Sequence, residues 1–204
     1  MRPRIPPETV GRLLIYLRLL LCLAEEGVET VSSQGLGDSC EVKPSVVRKD
    51  LSYFGGFGKR GVGYDVKGLI GEIRSILNLD RVMDAALVGV GNVGRALLAN
   101  RRFVSEGFRI TAAFDRDPDK IGQQFSGVVV EDVATLERRI QEAGITLAIV
   151  AVGVSDAPEI ARRLSHAGVK GILSFAPCPL RMPEGVKVRC VDLATEMARL
   201  AYYI

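Results

Sequence analysis

Residues 44–55 read Pro-Ser-Val-Val-Arg-Lys-Asp-Leu-Ser-Tyr-Phe-Gly. Wound into a helix, the stretch separates into two faces. Val47, Leu51 and Phe54 recur at i, i+4, i+7 as an apolar stripe. Ser45, Arg48, Lys49 and Ser52 recur at i, i+3, i+4, i+7 on the opposite side, cationic and hydroxyl-bearing. Such a face suits the major groove of DNA: Arg and Lys reach guanine edges or phosphates, and Ser reaches phosphates or either base.

The flanks place this helix in a motif. Upstream, Pro6 and Pro7 start a helix expected to run to about Glu26 and stop at Gly27. Thr30, Ser32 and Ser33 offer N-caps for a short second helix ending near Gly35–Gly37. Downstream, Gly55–Tyr64 holds five glycines in ten residues, which excludes a helix interior. Its alternation with Phe57, Val62 and Tyr64 predicts a two-stranded wing with Lys59 and Arg60 at the tip. Helix, helix, recognition helix and basic wing make a winged helix-turn-helix. Six cations face two anions between Lys43 and Lys67, a balance that favours a polyanion. Val66, Leu69, Ile70, Ile73, Ile76 and Leu77 predict a connecting helix over 66–79.

Residues 81–190 change character. Continuous apolar runs at 85–90, 109–114, 127–130, 147–152 and 171–175 predict buried strands, with helical patterns at 93–104, 132–143 and 157–167 between them. This alternation indicates an α/β unit, a parallel sheet covered on both faces. The first strand runs into Gly89-Val90-Gly91-Asn92-Val93-Gly94, and Asp115 follows 21 residues after Gly94 at the end of the next strand. Strand, G-x-G-x-x-G, helix and distal acid form a dinucleotide-binding fingerprint. The glycines admit the pyrophosphate, and the helix N-terminus supplies N–H donors and partial positive charge. Asp115 can accept both ribose hydroxyls, which favours NAD; Arg116 beside it could instead hold a 2′-phosphate. Asp192–Ile204 predicts a final helix with Leu193, Met197, Leu200 and Ala201 on one side. The expected domains are therefore 1–80 for DNA, 81–190 for the Rossmann-type unit, and a C-terminal helix at 191–204.

Composition bounds the function. At 48% hydrophobic and 25% charged residues the chain is a folded globular protein, and a net charge of +3 is too small to diagnose a partner. Cys22, Cys40, Cys178 and Cys190 lack metal-site spacing and read as buried thiols of a reducing compartment. The run Leu13–Ala24 is interrupted by Tyr16 and Arg18, too short for a membrane span, so a soluble cytoplasmic protein is expected. His166, the one histidine, sits at a helix C-terminus and reads as a capping residue rather than a base. With 29 residues after Phe175, no substrate domain follows, so the cofactor is expected to be sensed, not consumed. No catalytic residue and no metal site is expected.

The whole chain resembles the Rex redox-sensing transcriptional repressors. The resemblance is carried by residues 12–18, the Arg-Lys-Asp-Leu-Ser-Tyr-Phe-Gly string at 48–55, Arg60–Tyr64, the glycine motif with Phe114-Asp115, the loop 175–180 and Val191-Asp192-Leu193. It implies a homodimer with a C-terminal helix swapped onto the partner. NADH would draw the Rossmann domains together and lift the recognition helices from a palindromic operator, whereas NAD⁺ permits repression. Arg48, Lys49, Ser52, Tyr53, Lys59 and Arg60 match the DNA surface. Gly89, Gly91, Gly94 and Asp115 match the dinucleotide site, with Val152, Gly153, Phe175 and Ala176 by the nicotinamide. Arg18 and Asp192 match a switching pair. Asn100, Gly153 and Ser174 depart from the family's tyrosine, proline and asparagine. Two other readings stay open: an NAD-dependent oxidoreductase, and a DNA-binding regulator with a weakened redox response.

Overall fold

The computed structural model describes residues 5–56, 58 and 62–204. Met1–Arg81 and Val82–Ile204 form two compact units.

In the first unit α1 (Pro7–Glu25) buries Thr9, Leu13, Tyr16, Leu17 and Leu20, a stripe of helical period. Gly27 ends it in the left-handed region at φ 77°. A short strand β1 (Thr30–Val31) follows, so Thr30 is paired backbone rather than a cap. Ser32 caps α2 (Ser33–Ser39), accepting the Gly35 N–H at 3.0 Å. This helix passes through Gly35 and Gly37, where the sequence predicted its end. Gly37 serves close approach instead: a Cβ there would strike the Val42 carbonyl of the crossing chain. The groove-facing candidate α3 (Pro44–Ser52) stops before Phe54 and buries Val47 and Leu51. Strand β2 (Tyr64–Asp65) pairs antiparallel with β1, Val31 opposite Tyr64. Both strands of the pair were expected within Gly55–Tyr64, and Tyr64 instead finds its partner 33 residues back, beyond the reach of a local pattern. Lys59 and Arg60 lie outside the described residues. Asp65 caps α4 (Val66–Ile76), which buries Val66, Leu69 and Ile73 against α1.

The second unit is built on β3 (Met83–Val88), α5 (Asn92–Ala99), α6 (Arg102–Ser105), β4 (Phe108–Asp115), β5 (Gln124–Phe125) and β6 (Val128–Asp132). After a 3-10 turn come α7 (Leu136–Ala143), β7 (Leu147–Val150), α8 (Ala157–His166), β8 (Gly171–Ser174), β9 (Lys187–Cys190) and α9 (Leu193–Ala201). Among the described residues the sheet order is β5-β6-β4-β3-β7-β8-β9, parallel except at β5–β6. Alternate residues face opposite layers. Ala86, Val88, Ala112, Phe114, Val150 and Ile172 pack beneath α7 and α8, whereas Leu87, Ala113 and Ile149 meet Leu98 of α5.

Two expectations are corrected here, and two strands that the sequence reading missed are added. The helix expected over 93–104 is two, because Asn100 leaves helical geometry and its side chain accepts the Arg102 N–H at 3.1 Å, restarting the chain in α6. The antiparallel strand β5 turns into β6 through Ser126 and Gly127, both at positive φ, a primed hairpin turn. Edge strand β9 has no buried residue and therefore no apolar run by which to find it. The cysteines are not buried: Cys22 and Cys190 are exposed, Cys40 and Cys178 half-buried. No described helix is long and apolar enough to cross a membrane.

Candidate dinucleotide cleft and nucleic-acid interface

The chain leaves β3 toward β4 on one side of the sheet and returns in β7 on the other, so the order reverses between β3 and β7. Ligands of open α/β sheets bind beyond the strand C-termini at such a point. A cleft opens there, lined at the ends of β3, β4 and β7 by Gly89, Gly91, Asp115, Arg116, Val152 and Gly153. Gly89 takes φ 97°, and a Cβ on it would lie 2.5 Å from the Ala151 carbonyl oxygen, so only glycine fits this turn. Gly91 caps α5 without a side-chain bond, so no capping side chain takes the first-turn N–H groups that an anion would use. Asn92, Val93 and Gly94 are that first turn. Val90 is buried and contributes its backbone N–H.

Asp115 is 8% exposed and already engaged. Its Oδ2 accepts from Val90 N at 2.7 Å and Lys120 Nζ at 3.2 Å, and its Oδ1 from Asp117 N at 3.0 Å. Burial alone would raise its pKa, but the Asp117 and Val90 N–H groups and the Lys120 ammonium outweigh burial and hold it below the usual range. A carboxylate offers about four acceptor directions, and three are taken. One ribose hydroxyl can therefore be accepted without rearrangement, where the sequence suggested two. Arg116 pairs with Asp156 at 3.1 Å across the cleft mouth, joining the loop after β4 to the start of α8. Lys120 and Asp156 were not found from the sequence. Lys120 reaches Asp115 only because the Asp117–Lys120 turn folds back, and a spacing of five carries no signal for that.

The other predicted positions are scattered. Phe175 and Ala176 lie at the end of β8, where Phe175 N bonds Val150 O at 2.8 Å and Ala176 is buried. Neither lines the cleft of Gly89 and Asp115. Ser174 is fully buried and its Oγ accepts the Ala176 N–H at 3.2 Å. Asn100 borders a different hollow, with Arg101, Thr111 and Ser126. Asp192 caps α9, accepting from Ala194 N, Thr195 N and Thr195 Oγ1, while Arg18 is exposed on α1.

On α3, Ser45, Lys49 and Ser52 are exposed and Tyr53 is half-buried just past its end. Arg48 reaches back to α2, donating to Ser33 Oγ at 2.9 Å, and Ser52 Oγ donates to the Lys49 carbonyl at 2.7 Å. Asp50, one of the two anions between Lys43 and Lys67, is 1% exposed. Burial would raise its pKa, but the bonds from Arg12, Thr9 and Tyr16 dominate and keep it ionised below the usual range.

Comparison with known proteins agrees with both halves. A family described as putative DNA-binding protein N-terminus matches residues 4–52, and a CoA binding domain family matches 80–178. The chain is 46% identical over 200 residues to the redox-sensing transcriptional repressor Rex of Roseiflexus sp. (strain RS-1), covering 98% of this chain and 91% of that protein. It is 45% identical to the redox-sensing transcriptional repressor Rex of Chloroflexus aurantiacus, covering 100% and 96%. Among solved structures it is similar to RSP in complex with beta-NAD⁺ and operator DNA, with a TM-score of 0.94 at 33% identity over 98% of this chain and 92% of that one. RSP in complex with beta-NADH gives 0.90 at 32% identity, over 98% and 94%.

Proposed function

Since this chain belongs to the Rex family of redox-sensing transcriptional repressors, we propose that it holds an operator through α3 and releases it when NADH occupies the β3–α5 cleft. The observation that carries this reading is the match, over nearly the whole chain, to a repressor whose structure holds both beta-NAD⁺ and operator DNA. The cleft supports it chemically. The glycine turn and the open α5 N-terminus suit a diphosphate, and ionised Asp115 suits a ribose hydroxyl. Similarity to a CoA binding family fits the same frame, because CoA and NAD share an adenosine diphosphate.

Lys49, Ser45, Ser52 and Arg48 are assigned to operator contacts, with Tyr53, Lys59 and Arg60 beside them. Gly89–Gly94, Asp115, Arg116, Val152 and Gly153 are assigned to the dinucleotide, and Phe175 and Ala176 to its nicotinamide end. Members of this family regulate transcription, and here too the nucleotide acts as a signal rather than a substrate. The working protein is a cytoplasmic homodimer that exchanges α9, with Arg18 and Asp192 in its switch. Asn100, Gly153 and Ser174 set the amplitude of the NADH response. Titrating labelled operator with NADH and NAD⁺ tests the reading: NADH is expected to release DNA, NAD⁺ to permit binding, and CoA to do neither. Operator binding indifferent to NADH would favour the regulator with weakened redox response.

Asp115→Ala is expected to weaken NADH binding by roughly ten- to a hundredfold, the ~1.5–3 kcal/mol of a bond to a charged group. It should also cost about 1–3 kcal/mol of stability, because the buried Val90 N–H loses its acceptor. Calorimetry and thermal melts read the two effects separately. In the wild-type protein NADH should bind more tightly than NADPH, since ionised Asp115 repels a 2′-phosphate. Equal affinities would remove Asp115 from the ribose.

A further inference from the structure

The carboxylate of Asp50 leaves the DNA face of α3 and ends among donors from a single helix. Its Oδ1 accepts from Thr9 Oγ1 at 2.9 Å and from an Arg12 terminal nitrogen at 2.7 Å; its Oδ2 accepts from Arg12 Nε at 2.6 Å and from Tyr16 Oη at 2.9 Å. Thr9, Arg12 and Tyr16 stand at i, i+3, i+7, one face of α1. Tyr16 is fully buried and Asp50 nearly so, while the Arg12 side chain stays 27% exposed, so four charge-assisted bonds converge on a carboxylate largely shielded from water. We propose that Asp50, Arg12 and Tyr16 form a latch that fixes the angle of α3 on α1, making Arg12 and Tyr16 positioning residues for operator recognition. The inference rests on α3 being the helix that reads the operator.

Three features support a positioning role over a merely cohesive one. A buried ion pair adds little net stability relative to apolar packing, and its best-attested use is to specify geometry. The Arg12 fork is bidentate and planar, so it fixes rotation as well as distance, whereas apolar side chains can slide. Finally, α1 packs most extensively on α4 and α3 on α2, which makes the latch a direct tie between the outer pairs. The opposite flank of α1 carries exposed Val10, Leu14 and Arg18.

The test uses full-length Arg12→Lys and Tyr16→Phe, titrated against labelled operator and a scrambled duplex of equal length at several salt concentrations. Arg12→Lys keeps the charge but loses the fork, and Tyr16→Phe keeps the buried ring but loses its hydroxyl. Operator affinity is expected to fall roughly tenfold for Arg12→Lys and severalfold for Tyr16→Phe, the scale of one lost bond to a charged group. Affinity for the scrambled duplex and the salt slope should stay at wild-type values, because phosphate contacts are retained. A merely structural role predicts equal losses on both duplexes, and that result overturns the latch, as does wild-type discrimination in either variant. Should Arg12→Lys fail to fold, Tyr16→Phe decides alone. Lys49→Ala checks the underlying reading separately: it should weaken both duplexes and flatten the salt slope by about one unit. If it changes neither, α3 does not read DNA, whatever the latch variants do.

Discussion

Cut after Val191, the protein is expected to behave as a monomer or a rapidly dissociating dimer, to bind its operator roughly a hundredfold or more weakly, and to ignore NADH. The loss in affinity is the scale of avidity forfeited when two half-sites can no longer be engaged together. The reason lies in α9. Leu193, Met197 and Leu200 recur at i, i+4, i+7, yet they are 69%, 66% and 59% exposed. Tyr202, Tyr203 and Ile204 extend the same uncovered apolar surface. Burying one such side chain stabilises by about 1.5–3 kcal/mol, so together these residues strongly favour a covered position. A helix of nine residues is marginal without packing, although Asp192 caps it with three bonds. Exchange onto a second copy would provide that cover and would link dimer geometry to half-site spacing. The coupling needed for a sensor is only ~1–3 kcal/mol. Sedimentation equilibrium and operator titration of the truncated protein measure both effects. A stable truncated dimer that still releases DNA with NADH would place the signal on another route.

Gly94→Ala is expected to separate the two functions: NADH binding should fall by a hundredfold or more while operator binding persists and no longer responds. A Cβ at Gly94 would overlap the Gly89 carbonyl oxygen and crowd its carbonyl carbon. The first clash is backbone against backbone, so no rotamer relieves it. Gly89 is itself tied back, its N–H donating to the Phe114 carbonyl at 2.8 Å. Instead α5 must retreat from the turn and withdraw its N-terminal N–H groups from the diphosphate. Losing two bonds to a charged ligand, at ~1.5–3 kcal/mol each, accounts for the size of the effect. Overpacking adds about 1–3 kcal/mol of destabilisation, confined to the second unit. Calorimetry with NADH, followed by operator titration, gives both quantities; unchanged NADH affinity in Gly94→Ala would remove the α5 N-terminus from the site.

Where the sequence reading succeeded, the signal was short in range. Helix α1 between Pro7 and Gly27, the buried stripe of α4 and the strand–glycine–helix turn at Gly89–Gly94 follow from local sterics and periodicity. Where it failed, a local sign had a distant cause. Gly37 looked like a helix stop because glycine often ends helices, but its missing side chain accommodates the Val42 carbonyl. Asn100 sat in a helical pattern and broke it through one bond to Arg102 N. Edge strand β9 has no fully buried residue and only a short alternation at Val186, Val188 and Cys190, so a search for continuous apolar runs passed over it.

The sequence by itself determined the two architectures, the cationic face of α3, the glycine turn and the acid at the end of β4, because each is a pattern within a few turns or strands. The tertiary structure decided what those residues are free to do. It turned Asp50 inward to Thr9, 41 positions away, and closed three acceptor directions of Asp115, one of them by Val90 from 25 positions away. It also paired Tyr64 with Val31 and left the apolar face of α9 uncovered. Such outcomes depend on which distant segments meet when the core closes, and buried polar groups must then find whatever partners that closure supplies.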